Sequence, residues 1–152
     1  MTNSEIEWLF VSRPAKDKEI LEVEHILGIK FPDDYKECLK QNAGGSPEPN
    51  VFDFTKRKEA VFNRLFTCDP NDAYYYIPDN YKAIKDRLID DIYPIADDVF
   101  GNCICFDYRE GKDKAPKVVF WDHEVAYESP EKAIYYICDS FIELLSKLYF
   151  CD

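Results

Sequence analysis

Residues 93–108, YPIADDVFGNCICFDY, constrain the fold more than any other stretch of the chain. They read as a short apolar strand, an acidic loop closed by Gly101-Asn102, and a second strand from Cys103 to Tyr108. A Gly-Asn pair is turn punctuation between hydrophobic runs. Strand side chains alternate with a period of two, so Ile104, Phe106 and Tyr108 share one face, with Cys103, Cys105 and Asp107 on the other. Both faces begin apolar, which predicts a central strand. Asp107 is the one charge in that row. It must lie at the wet end of the strand or be paired, because an unpaired buried carboxylate is costly.

The rest of the chain has to supply the layers around that strand. A chain of 152 residues reads as a single domain over 1–152, long enough to bury roughly 70% of its unfolded surface. A hydrophobic content of 46% argues against disorder. The formal net charge of −11 would repel nucleic acid and anionic membrane and favours a basic partner, although solubility alone is the simpler account of such a charge. Six cysteines without a CxxC pair, mostly within apolar runs, read as reduced thiols packed as small hydrophobes. The first residues lack a basic region followed by an apolar core, and no apolar run approaches the roughly 20 residues of a membrane helix. The expected location is the cytosol.

Ser4 and Glu7 have capping-box spacing and predict a first helix with Ile6, Leu9 and Phe10 buried. A second helix ends at about Leu27, with Ile20, Val23 and Leu27 on one face and Gly28 as its left-handed stop. Pro32-Asp33-Asp34 opens a third, with Tyr35, Cys38 and Leu39 inward, and Asn42-Ala43-Gly44-Gly45 ends it. Val51 to Phe54 and Ala60 to Thr67 read as strands joined by the turn Lys56-Arg57-Lys58-Glu59. Tyr81, Ile84 and Leu88 fit a helix from about Asp79 to Ile89, while the conformation of Ala73 to Ile77 stays open. Val118 to Trp121 is a third consecutive strand after the opening pair, which favours an antiparallel meander over a parallel sheet. Ser140 and Glu143 start a last helix reaching about Phe150. The expected class is α+β, an antiparallel or mixed sheet flanked by four to five helices.

Candidate chemistry is sparse. His25 reads as a boundary residue of the second helix, and nothing places a thiol beside His123 for cysteine–histidine catalysis. Cys103 and Cys105 on one strand face, with His123 and Cys138, could be imagined around zinc, but packed thiols are the simpler account. No phosphate-cradling GxGxxG or GxxxxGK[ST] pattern occurs. No cofactor and no metal is therefore expected. A metal-dependent nuclease would need paired carboxylates and also a surface that accepts polyanions, which the net charge opposes. Asp33-Asp34 is accounted for by its helix end; Asp97-Asp98 has no such local reason and is the better binding candidate. Tyr74-Tyr75-Tyr76 cannot all face one way, so at least one ring should be exposed, either as an interface anchor or incidentally.

Three pieces, in order, carry a family resemblance. They are Leu27-Gly28-Ile29-Lys30-Phe31-Pro32-Asp33-Asp34-Tyr35 with Asn42-Ala43-Gly44-Gly45; Pro94-Ile95-Ala96-Asp97-Asp98 with Gly101-Asn102 and Phe106-Asp107; and Val118 to Asp122 with Ser140-Phe141. Together they resemble the SUKH superfamily, which includes bacterial immunity proteins and fungal cell-wall assembly regulators of the Smi/Knr type. The family pattern often has Asn-Gly-Gly where this chain has Asn42-Ala43-Gly44-Gly45, and usually a glycine nearer the acidic loop where Val99-Phe100 stand.

The resemblance implies a non-enzymatic domain that binds the catalytic domain of a cognate polymorphic toxin, often a nuclease. A regulatory or scaffold module binding an endogenous cytosolic protein is the alternative. On this reading the framework residues are Gly28, Pro32, Tyr35, Gly44, Gly45, Gly101, Asn102 and Asp107. The candidates for toxin contact are Asp97, Asp98, Asp122 and Glu124 for charge, with Tyr75 and Trp121 as anchors. Direct nucleic-acid and membrane contacts are not expected.

Overall fold

The computed structural model describes residues 5–151. Where a helix is expected, residues Glu7–Leu9 form strand β1, and Ser4 of the expected capping box lies outside the described residues. A capping signal is local, and here a distant partner overrides it. β1 pairs antiparallel with β2 (Ser46–Glu48), Trp8 opposite Pro47, and the Trp8 ring meets Phe62 edge-on at 5.9 Å. Phe10, expected inside, is 74% exposed and has a positive φ of 60°.

Between these strands run helices α1 (Asp17–Leu27) and α2 (Asp33–Asn42). Ile20, Val23 and Leu27 are buried on α1, and Tyr35, Cys38 and Leu39 on α2. Gly28 takes the left-handed conformation with φ of 73°, so that the amides of Gly28 and Ile29 both reach Glu24 O, at 2.8 and 3.1 Å. That geometry satisfies the end of α1 and folds the buried Ile29 back under it. Pro32 caps α2 from one position before its first turn.

Strands β3 (Val51–Phe54) and β4 (Arg57–Val61) form a hairpin, and β5 (Arg64–Leu65) leaves it for another sheet. The expected strand from Ala60 to Thr67 is thus two pieces. It divides at Phe62-Asn63, where Phe62 N–H goes to Asn50 O and Asn63 N–H to Asp97 O, both at 2.8 Å. Helix α3 (Ile77–Ile84) and a 3₁₀ turn (Lys85–Arg87) follow, so the helix expected from Asp79 begins earlier and tightens before Leu88.

The main sheet has the order β5-β6-β7-β8-β9, with β6 (Ile92–Asp97), β7 (Cys103–Asp107), β8 (Lys117–Trp121) and β9 (Ile134–Cys138). Every ladder in it is antiparallel, and β7 is its middle strand. Between β8 and β9 lies α4 (His123–Glu128) with a second 3₁₀ turn (Pro130–Lys132); α5 (Phe141–Lys147) ends the order of elements. The class is α+β, with five α-helices and antiparallel sheets among the described residues.

Cys103, Ile104, Cys105 and Phe106 are all buried, so both faces of β7 are covered. On one face Tyr35 of α2 stands edge-on to Phe106 at 5.0 Å and to Phe141 of α5 at 5.2 Å, a geometry worth about 0.5–1.5 kcal/mol per pair beyond burial. On the other, the Trp121 indole donates to Arg87 O at 3.2 Å, tying β8 to the 3₁₀ turn after α3. The β3–β4 hairpin seats Phe54 against Phe120 at 5.0 Å. The Trp121 and Phe120 contacts lie at the end of the sheet where the β6–β7 turn and α4 meet.

Candidate functional site

The β6–β7 turn is built around a carboxylate. Asp98 is 5% exposed and accepts from Phe100 N at 2.8 Å, Asn102 N at 2.9 Å and Asn102 Nδ2 at 2.8 Å. Gly101 has φ of 94°, in the left-handed region where a side chain would be strained. With the polar groups turned inward, the tip of the turn displays Val99 and Phe100, 59% and 64% exposed. Asp98 is therefore the internal fastening of the turn, and its charge is not offered to a partner.

Asp97 faces the other way, toward β5. It is half-buried and accepts from Asn63 Nδ2 at 3.2 Å and Arg64 N at 3.1 Å. Burial pushes its carboxyl above the ordinary value, against the opposing effect of those bonds.

Beside the turn, Asp122 caps α4 by accepting from Glu124 N at 3.0 Å and Val125 N at 3.3 Å. Its second oxygen takes Arg57 at 3.2 Å, while the Arg57 guanidinium lies 4.8 Å over the Phe120 ring. The hairpin is thereby clamped to the end of β8. Arg57, Phe100, Asn102, His123 and Glu124 enclose an open cleft of about 480 Å³. A smaller one of about 260 Å³ lies on the far side of Arg57, between Phe54, Phe120 and Tyr135. His123 is tied to the turn: its N–H donates to Asn102 Oδ1 at 3.0 Å, and its Nδ1 lies 2.7 Å from the same oxygen.

Along α4, Glu124, Tyr127 and Glu128 are exposed, three and four residues apart and so on one helix face; Glu131 in the following 3₁₀ turn is exposed as well. Tyr127 is 82% exposed. The turn thus exposes Val99 and Phe100, and α4 with the segment after it exposes Tyr127, Glu124, Glu128 and Glu131 together with Lys132.

Of the residues singled out from the sequence, the structure brings Asp98, Asp122 and Glu124 into one neighbourhood, and only Glu124 presents its carboxylate to solvent. Trp121 is 1% exposed and packs against Arg87, so it cannot serve as an anchor without loss of core. Tyr75 lies beyond β5 with Arg64 stacked 4.5 Å over its ring, and lines neither cleft. Asp107 binds the backbone and guanidinium of Arg109, holding the β7–β8 connection. Sequence reasoning assigned Val99, Phe100 and Tyr127 no contact role and weighed His123 only for cysteine–histidine or zinc chemistry. The available signal was the apolar pair Val99-Phe100 at a turn tip, where polar residues are the rule.

Burial pushes the thiols of Cys38, Cys68 and Cys138 up to about 12, so these three stay protonated at neutral pH, as packed side chains do. Among the described residues no group of three or more histidines, cysteines or carboxylates could hold a metal ion.

The helix pair, the antiparallel meander and the capped terminal helix define the class, an α+β domain. The chain belongs to the SMI1 / KNR4 family (SUKH-1), whose model matches residues 14–147. It is also similar to the SPbeta prophage-derived uncharacterized protein YokK of Bacillus subtilis (strain 168), 26% identical over 148 residues, covering 87% of this chain and 73% of that protein.

Proposed function

We propose that this chain is an immunity protein that binds and neutralises the catalytic domain of a cognate toxin, with residues 1–152 acting as one domain in the cytosol. The observation that carries the reading is that the linked β6–β7 turn and α4 segment expose Val99, Phe100 and Tyr127 along with Glu124, Glu128 and Glu131. Exposed aromatic anchors beside charged groups suit protein recognition, since a few buried anchors dominate affinity and the charges govern approach. The sign of those three carboxylates, on a chain of net charge −11, favours a basic partner. A nuclease domain is such a partner, because it must attract a polyanion. Family membership and a relative whose name marks it as prophage-derived support the same reading. Because Asp98 and Trp121 are buried, we take the turn tip and α4 as the proposed contact surface in their place. Asp122 remains within it as the residue that orients Arg57 and α4.

The test is co-expression with the product of the gene beside this chain's own, where the reading expects the toxin domain to be encoded. Survival is expected with the intact chain and death without it. A neighbour that is harmless alone, or that kills equally in the presence of the chain, would sink the reading.

A further inference from the structure

His123 is held in one tautomer by its surroundings. A backbone N–H can only donate, so the Asn102 atom that meets His123 N at 3.0 Å is Oδ1, and Nδ2 points to Asp98 at 2.8 Å. That same Oδ1 is 2.7 Å from His123 Nδ1. An amide oxygen cannot donate, so Nδ1 carries the proton, and the neutral ring keeps its lone pair on Nε2. The ring rests against Gly101, where an added Cβ would come within 3.2 Å of Cε1 and 3.4 Å of Nε2. Ring orientation and the tautomer of the neutral ring are therefore set before anything binds.

We propose that His123 Nε2 is a ready-made hydrogen-bond acceptor for a lysine or arginine side chain, received in the cleft of about 480 Å³ between the turn tip and the hairpin. Glu124 lines the same cleft, so one cation can meet the imidazole acceptor and a carboxylate together. Phe100 supplies an apolar wall for the stem of a long basic side chain. The other charged groups around the ring are already engaged. Arg57 of β4 is bound to Asp122, and Asp98 is bound to the turn. The proposal deepens the basic-partner reading above and rests on it for the identity of the donor.

The experiment uses the full chain, labelled with ¹⁵N, at pH 8. Two-bond ¹H–¹⁵N correlation spectra are expected to show His123 protonated on Nδ1 and bare on Nε2, with exposed His25 in the Nε2–H form that free histidine favours. Titration with a hexa-arginine peptide should move the His123 Nε2 resonance and leave His25 in place. His123→Phe keeps a ring against Gly101, removes both nitrogens, and should weaken the peptide at least fivefold. An Nε2–H form of His123, or a peptide that leaves its ring resonances unmoved, overturns the proposal. Because these readouts need no toxin, failure of protection in cells with His123 behaving as described would remove the immunity reading alone.

Discussion

Asp97 and Asp98 are neighbours in sequence, yet a one-residue step along a strand end separates a fastening from a partly desolvated charge. Asp98 accepts three hydrogen bonds inside its turn. Asp97 accepts two, and its carboxyl is held above the ordinary value chiefly by burial, with the Asp98 charge acting the same way. The sign follows from proton counting. Between the unfolded value of about 3.9 and the raised folded one, the native state binds more protons than the unfolded chain, so stability from this group falls as pH rises through that window. Asp97→Asn keeps an oxygen for Asn63 and Arg64 and removes the charge. It is expected to be at least as stable as the parent at pH 7, and the difference should shrink as pH is lowered toward 4 in urea unfolding curves. A variant that is less stable at pH 7, by an amount that vanishes as the pH is lowered through the carboxyl's titration, would show that the charge itself stabilises the fold.

At the scale of elements, the β6–β7 turn and α4 matter as a unit, because Asn102 and His123 bind them together. Their outward side chains contribute little to the fold, Phe100 and Tyr127 being 64% and 82% exposed. Replacing both by serine should change unfolding free energy by no more than about 0.5 kcal/mol. If they are anchors, toxin binding measured by calorimetry should weaken on the order of a hundredfold, about 2.7 kcal/mol. Leu21→Ser, equally exposed on α1, should do neither; equal losses from both changes would remove the turn tip from the interface. The elements legible in the sequence were those with local signals. These were the Gly28 stop, the Ser140 cap and the alternation along β7. Those missed were short and owed their form to distant partners: β1 to Pro47, β9 to β8, and α4 to a cap, Asp122, that reads in sequence only as one more surface acid. The candidate site was half legible for the same reason. Charge type and neighbourhood can be read from residue order, whereas Asp98 turning inward and Phe100 outward is decided by which hydrogen bonds close the turn.

For the whole molecule, the net charge of −11 and the apolar anchors should act on different parts of the binding reaction. Long-range attraction is felt during approach and is screened over about 8–10 Å at physiological salt. Desolvated contacts around Phe100 and Tyr127 act after docking and are screened little. Association with a basic toxin domain should therefore slow by roughly tenfold or more between about 0.05 and 0.5 M NaCl, while dissociation changes by less than about threefold. The paired replacement of Phe100 and Tyr127 should show the converse, near-normal association and faster dissociation. Stopped-flow association and chase-driven dissociation, run at each salt concentration for parent and variant, separate the two effects. If salt acts equally on both rates, the acidic residues lie within the desolvated contact instead of around it. Glu124, Glu128 and Glu131 would then have to be redrawn as the centre of the interface.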